Sequence, residues 1–164
     1  DLINAYDNTI LYTDSFLADA IGLLRATGCK SALLYSADHG EDIFDDQRER
    51  FLHASPNPTY HQLHVGMLIW LSDTMTALHP EFMTNLRRNS SLGVSPQKSM
   101  FNTAIELAGV NTPRFDASQS LVNPAYKYND PVYLNDLNVA VPLMDAGIKE
   151  SDKANLKRLL NPQH

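Results

Sequence analysis

A stretch of helical period runs directly into a short apolar run, and this junction restricts the architecture more than any other feature of the chain. From Asn4 to Thr27, the apolar residues Tyr6, Ile10, Phe16, Leu17, Ala20, Ile21 and Leu24 recur at three- and four-residue spacing, and Gly28 stands where a helix would stop. The spacing predicts a long amphipathic helix. Ser31-Ala-Leu-Leu-Tyr-Ser36 follows, short and apolar at its centre, as suits a strand covered on both faces. A helix feeding a buried strand predicts an α/β domain with a parallel sheet. Val65 to Leu71 reads as a second buried strand.

Downstream, Pro80 opens a predicted helix carrying Phe82, Met83 and Leu86, and Arg87 and Arg88 near its end suit the negative pole of its dipole. Ser95-Pro96 supplies an N-cap and a first helical residue. Met100, Phe101, Ala104, Ile105 and Leu107 form the predicted apolar face of that helix, and Gly109 ends it. Beyond Thr112-Pro113 the chain is rich in Asn, Asp and Pro, with strand-like pieces at Val132 to Leu134 and Val139 to Leu143. Ser151 caps a last predicted helix through Leu156, Leu159 and Leu160, ended by Pro162. There is no internal repeat.

Composition removes several classes of function. The chain has 164 residues, 43% of them hydrophobic, enough for one core. Its net charge is -6, so it lacks the basic surface that nucleic acids or anionic membranes require. The longest apolar run, Val65 to Leu71, is far below the roughly 20 residues of a membrane-spanning helix. Cys29 is the only cysteine, which excludes an internal disulfide and a thiolate zinc cluster while leaving the redox compartment open. The chain begins Asp1-Leu2-Ile3-Asn4, without Met or a signal core, so residues 1–164 are expected to be one piece of a longer protein.

Between Ala37 and His64 the sequence turns polar, with Asp42, Asp45, Asp46, Arg48, Glu49 and Arg50 followed by Pro56, Asn57 and Pro58. A long loop is expected here, its acids a solvated charged surface without the spacing of a calcium loop. Four of the six histidines, at 39, 53, 61 and 64, fall in or at the end of it. In open α/β sheets functional groups collect beyond the carboxyl ends of strands, where Asp38 and His39 stand. An adjacent carboxylate and imidazole can ligate one zinc ion if the backbone turns sharply, and Gly40 permits that turn. The same residues are also compatible with Asp38 as a cap and His39 as an ordinary hydrogen-bonding group. Glu41 either orients His39 or faces water.

Several ordered blocks resemble the phosphoethanolamine transferases of the alkaline phosphatase and sulfatase superfamily. Tyr6 to Leu17 resembles the family's helix, Leu33-Leu-Tyr-Ser-Ala-Asp-His-Gly-Glu41 its strand and metal-binding turn, and Phe51-Leu-His53 its Tyr-Leu-His-Gly block. Leu63 to Leu71 resembles the next strand, with Gly66 where the family usually has Pro, and Phe115 to Leu121 resembles the closing segment. The resemblance implies a three-layer α/β/α sandwich of the alkaline-phosphatase-like type, present here as its C-terminal part, with no complete second domain.

It also implies zinc, with room for a second divalent metal, held in part by Asp38 and His39. His53 takes the place of a substrate-binding histidine that contacts the phosphoryl group or a second metal, or else is a surface imidazole; His61 and His64 are not expected to be ligands. The implied reaction moves phosphoethanolamine from a phospholipid donor to a lipid A-type or glycan acceptor of the cell envelope. The family's nucleophilic Thr and a zinc-binding Glu, in a Glu-Ser-x-Arg pattern, are not in this chain. Glu150-Ser151 is followed by Asp152 and Lys153, and Thr9 and Thr13 read as helix surface. The chain alone is therefore expected to be inactive. A membrane anchor is implied upstream, in the bacterial inner membrane, with this part in the periplasm. A sulfatase, phosphodiesterase or phosphoglycerol transferase is the alternative within the superfamily, and a noncatalytic assembly domain the alternative outside it. Exposed sheet edge and core predict self-association into a homo-oligomer, or else a marginally stable chain.

Overall fold

The computed structural model describes residues 2–44, 49–53, 58–128, 132–134, 137–143, 150, 153–154 and 157. The first element, α1, spans Leu2–Ala26 and ends as expected before Gly28, whose φ of 64° is the left-handed conformation of a helix stop. Strand β1 (Ala32–Ser36) follows, and the next full strand, β4, spans Met67–Leu71. Between them lie a hairpin, β2 (Asp42–Ile43) with β3 (Phe51–Leu52), and a single-turn helix, α2 (Tyr60–Leu63). The expected long loop is thus broken into short regular pieces. Asp45, Asp46, Arg48, Pro56 and Asn57 lie outside the described residues.

β1 and β4 pair antiparallel, with Ala32 opposite Leu71 and Ser36 opposite Met67. This corrects the expected parallel sheet. A parallel neighbour needs a crossover that carries the chain back along the sheet. Here the hairpin and α2 stay at one end, and the chain re-enters where it left, with the Ala37 N–H donating to the Gly66 carbonyl at 3.1 Å.

The register separates the faces of this sheet. Ala32, Leu34, Ile69 and Leu71 turn toward a core of Met75, Phe82, Leu107 and Val122. Leu33, Tyr35, Leu68 and Trp70 therefore face the other way. On that side the Arg25 guanidinium of α1 lies 5.8 Å from the centre of the Trp70 ring. Helix, sheet and helices make three layers. The outer surface of α1 leaves Ile10, Leu11, Phe16 and Leu23 exposed.

The core layer comprises α3 (Asp73–Leu78), α4 (Pro80–Ser90) and α5 (Pro96–Ala108). Sequence patterning missed α3, although Ser72 is a readable cap whose hydroxyl accepts from the Met75 N–H. The same hydroxyl accepts from the Ser31 N–H and donates to the Cys29 carbonyl, tying the end of α1 to the turn after β4.

In α5 the expected apolar face is corrected. Phe101 and Ala104 are exposed, and Ser99, Asn102, Thr103 and Leu107 are buried. Asn102 and Thr103 pair with backbone: the Leu121 N–H donates to the Thr103 hydroxyl and the Asp116 N–H to the Asn102 side chain. Ser95 makes no side-chain cap bond; its carbonyl instead accepts from Lys98 and Ser99. Fully buried Asn89 of α4 secures the same segment by donating to the Leu121 and Asn123 carbonyls. The strand-like pieces near the end form an antiparallel pair, β5 (Val132–Leu134) with β6 (Ala140–Pro142). Leu143 packs with Tyr60, Leu63 and Tyr133, which fixes α2 beside this ribbon. The helix predicted from Ser151 to Leu160 falls largely outside the described residues.

Candidate metal centre

The turn after β1 is built by backbone contacts to α2. The Gly40 N–H donates to the Gln62 carbonyl at 2.9 Å. A methyl group at Gly40 would overlap the His61 carbonyl oxygen. Glycine is needed here for this close approach, since the φ of Gly40 is not in the left-handed region. That refines the expectation of a sharp turn. α2 is capped by Thr59, whose hydroxyl accepts from the Gln62 N–H at 3.2 Å. Asp42 pins it further, accepting from the Thr59 hydroxyl at 2.6 Å and from the Gln62 side-chain amide. Asp42 is buried, which corrects its assignment to a solvated charged surface.

Asp38 and His39 emerge from this turn side by side. The His39 N–H donates to Asp38 Oδ1 at 3.0 Å, and Asp38 Oδ2 stands 3.6 Å from His39 Nε2. The Asp38 carboxyl is held below its usual value of 3.8, first by the His39 N–H and then by its own N–H. At the other edge of the ring, Nδ1 lies 3.2 Å from the Gly40 carbonyl. A carbonyl only accepts, so this contact assigns the hydrogen to Nδ1 and turns the Nε2 lone pair toward the Asp38 carboxylate.

The hairpin brings two more groups. Asp42 opposite Leu52 and Ile43 opposite Phe51 define its register, and one further step places Glu41 across from His53. Glu41 Oε1 is 2.8 Å from His53 Nδ1 and 3.8 Å from His39 Nδ1, and the two imidazole rings approach to 3.9 Å between centres. Leu52, just before His53, has a φ of 66°, uncommon for a residue with a side chain. Ligand atoms of His39, Glu41 and His53 lie within 4.8 Å of one another. The second Glu41 oxygen, Oε2, is buried without a hydrogen-bond partner among the described residues.

Asp38, His39 and His53 thus share a cavity of about 350 Å³ that also reaches Pro58, Leu143 and the first turn of α5 at Ser95. Glu41 joins the group, contacting both histidines. The hairpin register is what delivers it, and no spacing rule for a single strand carries that information.

Among the described residues, His64 and His61 lie outside this group. His64 Nδ1 meets the Tyr60 hydroxyl at 2.9 Å, and the His61 ring stands edge-on to Tyr60. Thr9 is exposed and Thr13 half-buried, and both hydroxyls bond back to carbonyls of their own helix.

The donor set fits zinc. Two ligands of a tetrahedral zinc ion at about 2.1 Å lie about 3.4 Å apart, close to the Asp38–His39 separation, and a carboxylate with imidazole nitrogen is a usual zinc environment. The sulfatase family model matches residues 1–110. The chain belongs to the sulfatase family.

Within this family the chain is 33% identical over 126 residues to phosphoethanolamine transferase EptC of Escherichia coli O18:K1:H7, covering 76% of this chain and 21% of the relative. It is 33% identical over 133 residues to phosphoethanolamine transferase EptA of Salmonella typhimurium, covering 79% and 24%. The chain therefore spans about a quarter or less of the length of these relatives. The crystal structure of the C-terminal periplasmic domain of EptC from Escherichia coli superposes with a TM-score of 0.70 at 29% identity, covering 85% of this chain and 39% of that one. A zinc complex of that domain gives a TM-score of 0.66 at 28% identity, covering 84% and 38%. The fold is accordingly the alkaline-phosphatase-like α/β/α sandwich expected from the sequence.

Proposed function

We propose that this chain supplies the C-terminal part of the catalytic domain of a zinc-dependent phosphoethanolamine transferase. The protein moves the headgroup of a phospholipid donor to a lipid A-type or glycan acceptor of the bacterial envelope. This part lies in the periplasm, and the protein is anchored in the inner membrane. No helix among the described residues is long and apolar enough to cross a membrane. The observation that carries the reading is the convergence of the Asp38 carboxylate and His39 Nε2 at the carboxyl end of β1. The named relatives, transferases of this one headgroup, favour that substrate over the sulfatase and phosphoglycerol alternatives.

Asp38 and His39 hold zinc in this reading. When bound, the metal lowers the pKa of an attacking hydroxyl and neutralises charge on the phosphoryl oxygens. The chain's own residues do the rest. The Gly40 carbonyl fixes the tautomer of His39, and His53 lines the same cavity as Asp38 and His39, where it would meet the phosphoryl group. The first turn of α5 lines the same cavity and presents the positive pole of its dipole to an anion. The nucleophilic Thr and a further zinc-binding Glu come from sequence outside this chain, so the 164 residues alone are inactive.

The test is headgroup transfer and zinc content in the full-length protein, with Asp38→Ala and His39→Ala variants. Both variants are expected to lose zinc and turnover together. Unchanged turnover in both refutes the assignment.

A further inference from the structure

His53 enters the cavity through a side chain whose orientation is set elsewhere, and the geometry points to Glu41 as the residue that sets it. This inference rests on the transferase reading, which places His53 opposite the phosphoryl group. Three observations carry it. The hairpin register brings Glu41 and His53 to facing positions. The contact between them, 2.8 Å from Oε1 to Nδ1, is the short, charge-assisted kind. Glu41 is largely covered while His53 stays about half exposed, so the carboxylate is the fixed partner and the imidazole the working one.

A carboxylate only accepts hydrogen bonds, so His53 Nδ1 carries the hydrogen. The lone pair of the neutral ring is then at Nε2, which faces away from Glu41. Such a ring accepts a proton or a hydrogen bond on the side where the hydroxyl of an incoming acceptor would approach. Without Glu41 the ring is free to flip or exchange tautomers, and Nε2 would present a donor instead. Glu41 makes no direct contact with the reacting groups in this scheme; it acts through His53 and is a positioning residue. Its longer contact, 3.8 Å to His39 Nδ1, is secondary because that nitrogen already faces the Gly40 carbonyl.

The full-length protein, carrying Glu41→Ala, Glu41→Gln, His53→Ala and the Glu41→Ala/His53→Ala pair, tests this. Turnover is read with a fluorescent phosphatidylethanolamine donor and a lipid A-type acceptor, alongside zinc content. Glu41→Ala is expected to lose about 10- to 100-fold in kcat with zinc content unchanged, and Glu41→Gln, still an acceptor, to lose less. The double variant is expected to match His53→Ala within about twofold, because Glu41 has nothing to act on once the imidazole is gone.

A merely structural Glu41 would instead multiply its loss onto that of His53→Ala, which overturns the proposal, as does loss of zinc from Glu41→Ala. A second readout works without turnover: 15N-histidine-labelled protein is expected to show His53 protonated at Nδ1, and to lose that signature in Glu41→Ala. A His53 ring protonated only at Nε2 in the unsubstituted protein overturns the proposal. A protein that transfers no headgroup defeats the functional reading instead, while the ring nitrogens still judge Glu41.

Discussion

Gly40→Ala tests whether the metal turn depends on its contact with α2. The added methyl would overlap the His61 carbonyl oxygen, lie 3.1 Å from its carbon and reach within 3.5 Å of the Gln62 Cα. All three atoms are backbone, so no side chain can rotate away; either α2 or the turn must move. Overpacking of this kind costs about 1 to 3 kcal/mol. Separating the two segments also removes the Gly40 to Gln62 hydrogen bond, worth about 0.5 to 1.5 kcal/mol. Together these give a destabilisation of about 1.5 to 4.5 kcal/mol, or a fall of about 3 to 18 °C in unfolding midpoint for a domain of this size. Because Asp38 and His39 ride on the same turn, zinc affinity should fall with it.

Gly22→Ala supplies the internal control. No described residue lies within 4 Å of a methyl at Gly22, in the middle of α1, so helix propensity alone predicts a gain of about 1 kcal/mol. The same chemical change thus has opposite signs at two positions. Thermal unfolding and zinc titration of the two variants read both. A Gly40→Ala chain that unfolds with the wild-type midpoint and binds zinc as tightly would refute the close-approach argument.

Two further predictions concern the acids of the turn. The Asp38 carboxyl titrates below 3.8 because the His39 N–H donates to it. A depressed folded pKa means that its contribution is complete above the unfolded value and is lost only as pH falls through the lowered one. Asp38 therefore stays ionised and ready for a cation through the neutral and mildly acidic range, and a 13C-detected carboxyl titration with a midpoint at or above 3.8 would contradict this. Asp42→Asn replaces one of two acceptor oxygens with an amide donor facing either the Thr59 hydroxyl or the Gln62 amide, at a cost of about 1 to 3 kcal/mol in urea unfolding. A variant as stable as the parent chain would show that the buried carboxylate does not secure α2.

The elements with strong periodicity were legible. The amphipathic spacing that predicts α1 matches its observed span, because helical repetition over more than six turns leaves little ambiguity. Pro80 and Pro96 open α4 and α5 where a first-turn proline belongs. Sheet direction was not legible, since it depends on whether residues 37–66 cross the sheet or return to the same end. The buried face of α5 was not legible for a different reason. Burial usually follows apolarity, but here the covering segment presents backbone groups that need polar partners, so Thr103 and Asn102 are buried while Phe101 is exposed.

The candidate metal turn divides in the same way. Asp38 and His39 stand out in the sequence by their place after a strand, but Glu41 and Asp42 could not be told apart. They are adjacent acids of the same polar stretch. Side chains alternate along a strand, so one of them had to face the histidines and the other had to face inward. Which does which is fixed by the pairing of Asp42 with Leu52 in the hairpin. A slip of one residue would exchange the two, turning Glu41 toward α2 and Asp42, one methylene shorter, toward His53. The short β2–β3 ribbon thus does more for this site than its length suggests. It decides which of two neighbouring carboxylates holds a histidine and which holds a helix.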